Sequence, residues 1–173
     1  MEDRVQEIPM CCEQSVGNCQ VTAFPISHDV PGSCGYRFDT ADGSIGVLTD
    51  TGYVTKEAAD ILPGVELAVL EANHDVEAVR SGPYPYYLKQ RILGAEGHLC
   101  NEDAARFAVT LAKSGTSQIL LAHLSKENNT PAMARNTVER ALCAAGLSPD
   151  LVVAPRDQLS ERFLVGRRSL CKE

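Results

Sequence analysis

At 173 residues and 44% hydrophobic content, the chain is the size of one domain and can bury a sizeable core. Its net charge of −7 argues against broad coating of nucleic acid, which needs many Lys and Arg, and leaves room only for a small basic groove. No apolar run approaches the roughly 20 residues of a membrane helix, and the opening Met1-Glu2-Asp3-Arg4 lacks a signal peptide's apolar core. A cytoplasmic protein with no membrane partner is expected. The seven cysteines, Cys11, Cys12, Cys19, Cys34, Cys100, Cys143 and Cys171, form no C-x-x-C pair. That argues against a zinc knuckle or a thioredoxin-type site and for free thiols.

Residues 1–18 are polar and show no clear period, so they are expected as a variable N-terminal segment, with 19–173 as the folded part. Val21 to Ile26 reads as a strand that leads to His28 and Asp29. A turn at Pro31-Gly32 follows, and Tyr36-Arg37-Phe38 is the returning strand. Ser44 to Asp50 is an apolar strand ending in an acid. Thr55 then caps a helix with Glu57 in its first turn and Pro63-Gly64 as its stop. The run "VELAVLEANHD" is a strong strand ending in Glu71, Asn73, His74 and Asp75.

"NEDAARFAVTLAKSG" has a helix signature: Asn101 as cap, Glu102 and Asp103 at the positive end, Lys113 and Gly115 at the other. Ala104, Phe107, Ala108 and Leu111 share one face. Gln118 to Ala122 is a buried-type strand ending in His123. Thr130 as cap, Pro131 at the first helical position and Gly146 as stop define the last helix, with Ala134, Val138, Ala141 and Ala145 on its apolar face. "DLVVAP" closes the series as a short strand. Strands alternating with helices indicate an α/β layered fold.

Three apolar strands thus end in His28, Asp50 and His123. Strand ends are rigid and hold ligands accurately. Imidazole and carboxylate suit Zn²⁺, Mn²⁺ or Fe rather than a soft metal. A carboxylate such as Asp50 can bridge two metals with its two oxygens, and two metals can generate hydroxide and clamp a phosphoryl or acyl group. Each residue also has a plainer reading. A histidine at a strand end is commonly just hydrogen-bonded, "TDTGY" can be an Asx turn, and "ENN" and "NHD" can be polar loops leading to caps.

In this order, "FPISHD…GYRF", "IGVLTDTGYVT", "LEANHD", "YLKQRILGAEGHLCNEDAA" and "LAHLSKENNTP" resemble the metallo-β-lactamase-fold hydrolases of the YycJ/WalJ type, from about Val21 to Leu147. Cys100 stands where that family usually has serine in "GHLSN". The resemblance implies an αββα sandwich with a site for two divalent metal ions, Zn or Mn. It implies that His28, Asp50 and His123 are metal ligands, with Asp50 bridging and also catalytic. His98 would be catalytic and Asn101 a substrate group, while Glu71, Asn73 and His74 would support the ligands. The family's H-x-H-x-D-H run is missing: the four histidines, His28, His74, His98 and His123, lie far apart. The expectation is therefore the C-terminal half of the family's domain, a partial sandwich with Met1 as an internal start, and weak or absent metal binding by this chain alone.

The complete domain is expected to hydrolyse a phosphodiester, with nucleic acid as the substrate class and Lys89 and Arg91 as phosphate contacts; these two otherwise sit on a solvated helix face. Two alternatives stand beside this. One is hydrolysis of a small cyclic phosphodiester or an ester, since one fold hosts many substrates. The other is a non-catalytic half-domain that works by pairing with another chain. The sheet face expected to be left open carries Val47, Val69 and Leu121, and self-association or pairing with an N-terminal half would cover it.

Overall fold

The computed structural model describes residues 7–166. Among them, seven strands form one mixed sheet in strict chain order: β1 (Glu13–Val16), β2 (Cys19–Pro25), β3 (Cys34–Asp39), β4 (Ser44–Leu48), β5 (Leu67–Glu71), β6 (Gln118–Ala122) and β7 (Asp150–Val153). β1 to β4 make an antiparallel meander. β4 to β7 are parallel and need crossovers. These are α1 (Lys56–Ile61), then α2 (Val76–Ser81), α3 (Tyr86–Leu93) and α4 (Asn101–Lys113), then α5 (Pro131–Ala144).

Local chemistry explains most boundaries. Thr55 and Thr130 cap α1 and α5 through their hydroxyls, which accept the Ala58 and Met133 amides at 3.1 Å. Gly146 follows α5 at φ 71°, a conformation glycine adopts freely. No apolar period marks α2, yet Asp75 of "NHD" caps it by accepting the Ala78 amide at 2.8 Å. α4 departs from expectation by one residue: Cys100 holds the cap position and Asn101 is the first helical residue. The 1–18 segment is also not set apart from the sheet, because β1 lies within it and pairs with β2 across Gly17-Asn18.

Period-two alternation sorts the sheet's two faces. Leu48, Leu70 and Leu121 are register partners, each at most 1% exposed. They join Phe24, Phe107, Leu111 and Val138 in the core beneath the helices. Ala58 of α1, Phe107 and Leu111 of α4 and Val138 and Leu142 of α5 belong to this core, so these three crossover helices pack on this one side. Leu142, rather than Ala145, completes the buried face of α5.

The other face carries a second register row, Tyr36, Val47, Val69, Leu120 and Val152. Every member of that row is at least partly exposed. Val47 and Val69 fall there as expected, but Leu121 does not; its neighbour Leu120 does, because successive side chains point to opposite faces. Residues 161–166 run along one end of this face, where Leu164 accepts from the Gln118 amide at 2.9 Å and the Gly166 amide donates to Glu66 at 3.0 Å. A cavity of about 1290 Å³ lies beside them. No described helix is long and apolar enough to cross a membrane.

Leu121→Ala is expected to cost about 2–5 kcal/mol in a urea titration, with an unchanged denaturant slope. Leu120→Ala should cost less than half as much, since Leu120 already meets solvent. Equal losses would show that both faces are closed.

Candidate metal centre

The carboxyl ends of β4, β5 and β6 meet at one edge of the sheet, and β2, antiparallel to β3, ends at the same edge. In open α/β sheets this edge is where ligands bind. His28 follows β2 by three residues and Asp50 follows β4 by two. Glu71 is the last residue of β5, and His123 comes directly after β6. His98 arrives from the segment between α3 and α4.

Three of these groups converge. One donor atom each from Asp50, His98 and His123 lies within 4.8 Å of the others. Nε2 of His123 is 3.6 Å from Oδ1 of Asp50, and Nε2 of His28 is 4.0 Å from the same oxygen. The His98 ring centre sits 5.4 Å from that of His28 and 5.1 Å from that of His123. His28, Asp50 and His123 are thus brought to one edge of the sheet. His98, expected to take part in the chemistry rather than in ligation, stands in the tightest group, while His28 stands at its margin.

Glu71 organises the cluster. It is fully buried, and its Oε1 meets Nδ1 of His98 at 2.9 Å and Nδ1 of His123 at 2.8 Å. Its Oε2 accepts the Thr51 amide at 2.8 Å. Each imidazole therefore donates through Nδ1–H and keeps the Nε2 lone pair for a ligand. Burial pushes the Glu71 carboxyl up, but the bonds from His123, His98 and the Thr51 amide outweigh it, and its pKa lies below the ordinary carboxylate value. The Glu71 bond in turn raises the His123 pKa.

The backbone bends sharply at both ligand positions. Asp50 and His123 each have φ 57°, a left-handed conformation that non-glycine residues adopt mainly where surrounding structure enforces it. The enforcement is visible. The Asn73 amide donates to the His123 carbonyl at 2.7 Å, and the Ser125 amide returns to the Asn73 carbonyl at 2.7 Å. On the Asp50 side, the Ser27 amide donates to the Thr51 hydroxyl at 3.2 Å and the Gly52 amide to the Ser27 carbonyl at 2.8 Å. Gly52 also lies so close to the Ala95 carbonyl that a Cβ there would fall 2.0 Å from its oxygen.

Other expected site residues lie elsewhere. Asn101 is fully buried and exchanges amide hydrogen bonds with Asn129, at 3.1 and 2.9 Å. Asn129 also donates to the Ala72 and Asn73 carbonyls and accepts the Thr130 amide. Asn101 is therefore a strut joining the starts of α4 and α5 to the end of β5, and it offers nothing to a substrate. Lys89 donates to the Arg80 carbonyl at 2.7 Å, tying α3 to α2. Arg91 donates to Asp29 at 2.8 and 2.5 Å, and Asp29 is 3.6 Å from Nε2 of His28. Asp29 and Asn129 stand in the sequence only as a strand end and a polar loop, because no spacing rule assigns a role to an acid beside a ligand histidine or to an amide ahead of a cap. His74 is 1% exposed, and burial lowers its pKa to about 4. Burial likewise raises the Cys100 thiol to about 11, so it stays protonated at neutral pH.

Residues 2–124 match the family described as "Beta-lactamase superfamily domain". The chain belongs to that superfamily. Within it, the chain is similar to proteins of the YycJ/WalJ type. It is 43% identical over 134 residues to a Streptococcus pneumoniae serotype 2 protein named "Exodeoxyribonuclease WalJ", covering 78% of this chain and 50% of the relative. It is 40% identical over 129 residues to "Exodeoxyribonuclease YycJ" of Bacillus anthracis, covering 75% and 49%. The chain thus spans about half the length of the curated relatives it matches. Among solved structures, the metallo-β-lactamase fold protein YhfI from Bacillus subtilis superposes with a TM-score of 0.62 at 18% identity, over 85% of this chain and 51% of that one. Zn²⁺-bound PqqB from Methylobacterium extorquens gives 0.59 at 18%, over 86% and 52%. These two likenesses concern the fold.

The superfamily's fold implies use of a divalent metal, and the residues at this edge fit one. Two imidazoles with Nδ1 held by Glu71 and a carboxylate facing them are a borderline-to-hard donor set. Glu71→Gln is expected to lower Zn²⁺ affinity about 10- to 100-fold, measured by titration calorimetry on thiol-blocked protein. Unchanged affinity would remove Glu71 from the metal's support.

His74 sets a pH dependence. The unfolded chain protonates it near 6.5, whereas the folded chain holds it neutral down to about 4. Stability from this residue is complete above pH 6.5 and falls as pH drops towards 4, by on the order of 3 kcal/mol in all. His74→Gln should flatten the stability–pH slope between pH 6 and 4.5 by about one proton. An unaltered slope would mean that other groups cause the acid loss.

Proposed function

We propose that this chain carries the Asp50–His98–His123 side of a two-metal phosphodiesterase site that acts on nucleic acid. The observation that carries this reading is the gathering of three donor groups around the buried carboxylate of Glu71. The names of the proteins at 40–43% identity support nucleic acid, and DNA in particular, as the substrate. The H-x-H-x-D-H run does not occur in these 173 residues. The remaining ligands would come from chain outside them, joined or separate. The half-open row Tyr36–Val47–Val69–Leu120–Val152 is the surface where such a second half, or a second copy, would pack.

His28, Asp50, His98 and His123 would hold Zn²⁺ or Mn²⁺, which supplies Lewis-acid stabilisation and an activated water. Asp50 would present its two oxygens to both ions. His98, fixed through Nδ1 on Glu71, would present its Nε2 lone pair beside Asp50 and His123. Arg91 and Lys89 would hold flanking phosphates, and Asp29 keeps the Arg91 guanidinium beside His28.

The isolated chain is expected not to cleave DNA, RNA or bis-p-nitrophenyl phosphate above background with Zn²⁺ or Mn²⁺. Joined to a segment bearing H-x-H-x-D-H, it should cleave. Asp50→Asn in the joined protein should abolish turnover with little change in thermal unfolding, because an amide bridges metals poorly. Near-full turnover by that variant would reduce Asp50 to a turn residue.

A further inference from the structure

The cations of this chain divide into two kinds. Among the described residues, Arg37, Lys56, Arg80, Arg91, Arg106 and Arg135 each form an ion pair with a carboxylate. Lys126 and Arg156 are exposed and take part in none of these pairs, although Glu127 and Asp157 are their chain neighbours. Both stand beside the metal edge. Lys113, also outside those pairs, ends α4 just before β6 begins and so lies at the opposite edge of the sheet.

The backbone that carries the two residues is tied to the site. β7 runs parallel to β6 and ends at the same edge. The Ala154 amide donates to the Leu121 carbonyl at 2.8 Å, which extends the pairing towards Arg156. Arg156 then donates from Nη2 to the Leu124 carbonyl at 3.2 Å, and Leu124 directly follows His123. Lys126 lies in the same loop, which is held at several points. The Ser125 amide donates to the Asn73 carbonyl at 2.7 Å, the Asn128 amide to the Ser125 hydroxyl at 3.2 Å, and the Asp75 amide to the Asn128 carbonyl at 3.0 Å. The two sides of the metal edge therefore differ. Beside His28, the charge of Arg91 is offset by Asp29. Beside His123, two cations face water with no carboxylate against them, in a chain of net charge −7. The Leu124 carbonyl orients the Arg156 guanidinium and leaves most of its N–H donors for a paired contact with one phosphate.

We propose that Arg156 and Lys126 form a phosphate grip on the His123 side of the metal edge, which holds the DNA backbone next to the bond to be cut. Arg156 supplies paired N–H bonds and Lys126 a point charge. This rests on the nuclease reading and adds to it the residues that position the strand. Both contacts are to the backbone, so they act on every sequence alike.

Fluorescence anisotropy tests this, with the full chain in chelator so that no strand is cut. The probes are two short labelled DNA duplexes of unrelated sequence. Arg156→Gln and Lys126→Gln should each weaken binding about tenfold at low salt and reduce the slope of log K against log salt by about one. Both duplexes should lose equally. Lys113→Gln, which removes the same charge at the opposite edge, should leave the slope unchanged. Arg156→Lys should recover the slope but not the affinity, because an ammonium cannot make the paired contact. Lys126 makes no hydrogen bond or ion pair among the described residues, so its variant reports the contact even if losing the bond from Arg156 to Leu124 disturbs the loop. An unchanged slope for Lys126→Gln, an equal fall for Lys113→Gln, losses that differ between the two duplexes, full affinity in Arg156→Lys, or no binding of either duplex would each overturn the grip. Bis-p-nitrophenyl phosphate, which has no neighbouring phosphate to hold, separates the two ideas in the joined protein. If it is hydrolysed while the slopes stay unchanged, the grip alone falls; if it is not hydrolysed, the phosphodiesterase reading falls.

Discussion

The site depends on a carboxylate that never reaches solvent. Glu71 is fully buried, and three N–H groups converge on it from β6's end, from the segment before α4 and from the loop after β4. Removing a charge from water is costly unless it is well bonded. Here that requirement draws three separate segments to one point and fixes the orientation of two imidazoles together. The parallel register sets the arrangement: Glu71 pairs with Ala122, so the residue after Ala122 is placed beside it.

Around this carboxylate, amides hold the backbone in shape. Asn73 holds the carbonyl of His123 in its left-handed turn, and Asn101 and Asn129 lock the first turns of α4 and α5 against the end of β5. An amide both donates and accepts, so a reciprocal pair satisfies two buried side chains without adding charge. The metal edge is thereby built on a neutral frame of paired amides, with the buried carboxylate of Glu71 where the histidines need it.

Much of this was legible in the sequence, for definite reasons. Apolar runs ending in His28, Asp50 and His123 identified β2, β4 and β6 because a strand delivers its last side chain to a fixed place. Thr55 and Thr130-Pro131 identified two helix starts because capping is local chemistry. Other features have no local signature. Leu120 and Leu121 exchange faces if the register shifts by one residue, and two adjacent leucines do not reveal which points inwards. Asn101 looks like a cap or a substrate group until Asn129, 28 residues later, is seen to claim its amide. Glu71 reads as one polar strand end among several; only the assembled edge shows two histidines sharing one of its oxygens. β1 and α2 are each too short to show a period of their own.

The strict chain order of the strands has a kinetic consequence. Each strand pairs only with the strand before it and the strand after it in sequence, so closing any one pairing orders only the segment between two consecutive strands. Loop-closure entropy is therefore met in small successive steps rather than in one long-range event, which favours rapid folding for a sheet of this size. The meander β1–β4 closes through short turns, whereas β5 and β6 must wait for the three helices between them. Growth from a ribosome, amino end first, follows the same direction as the sheet. The His123 corner follows β1 to β6 in the chain, so the metal edge is completed only once those six strands have emerged to carry it.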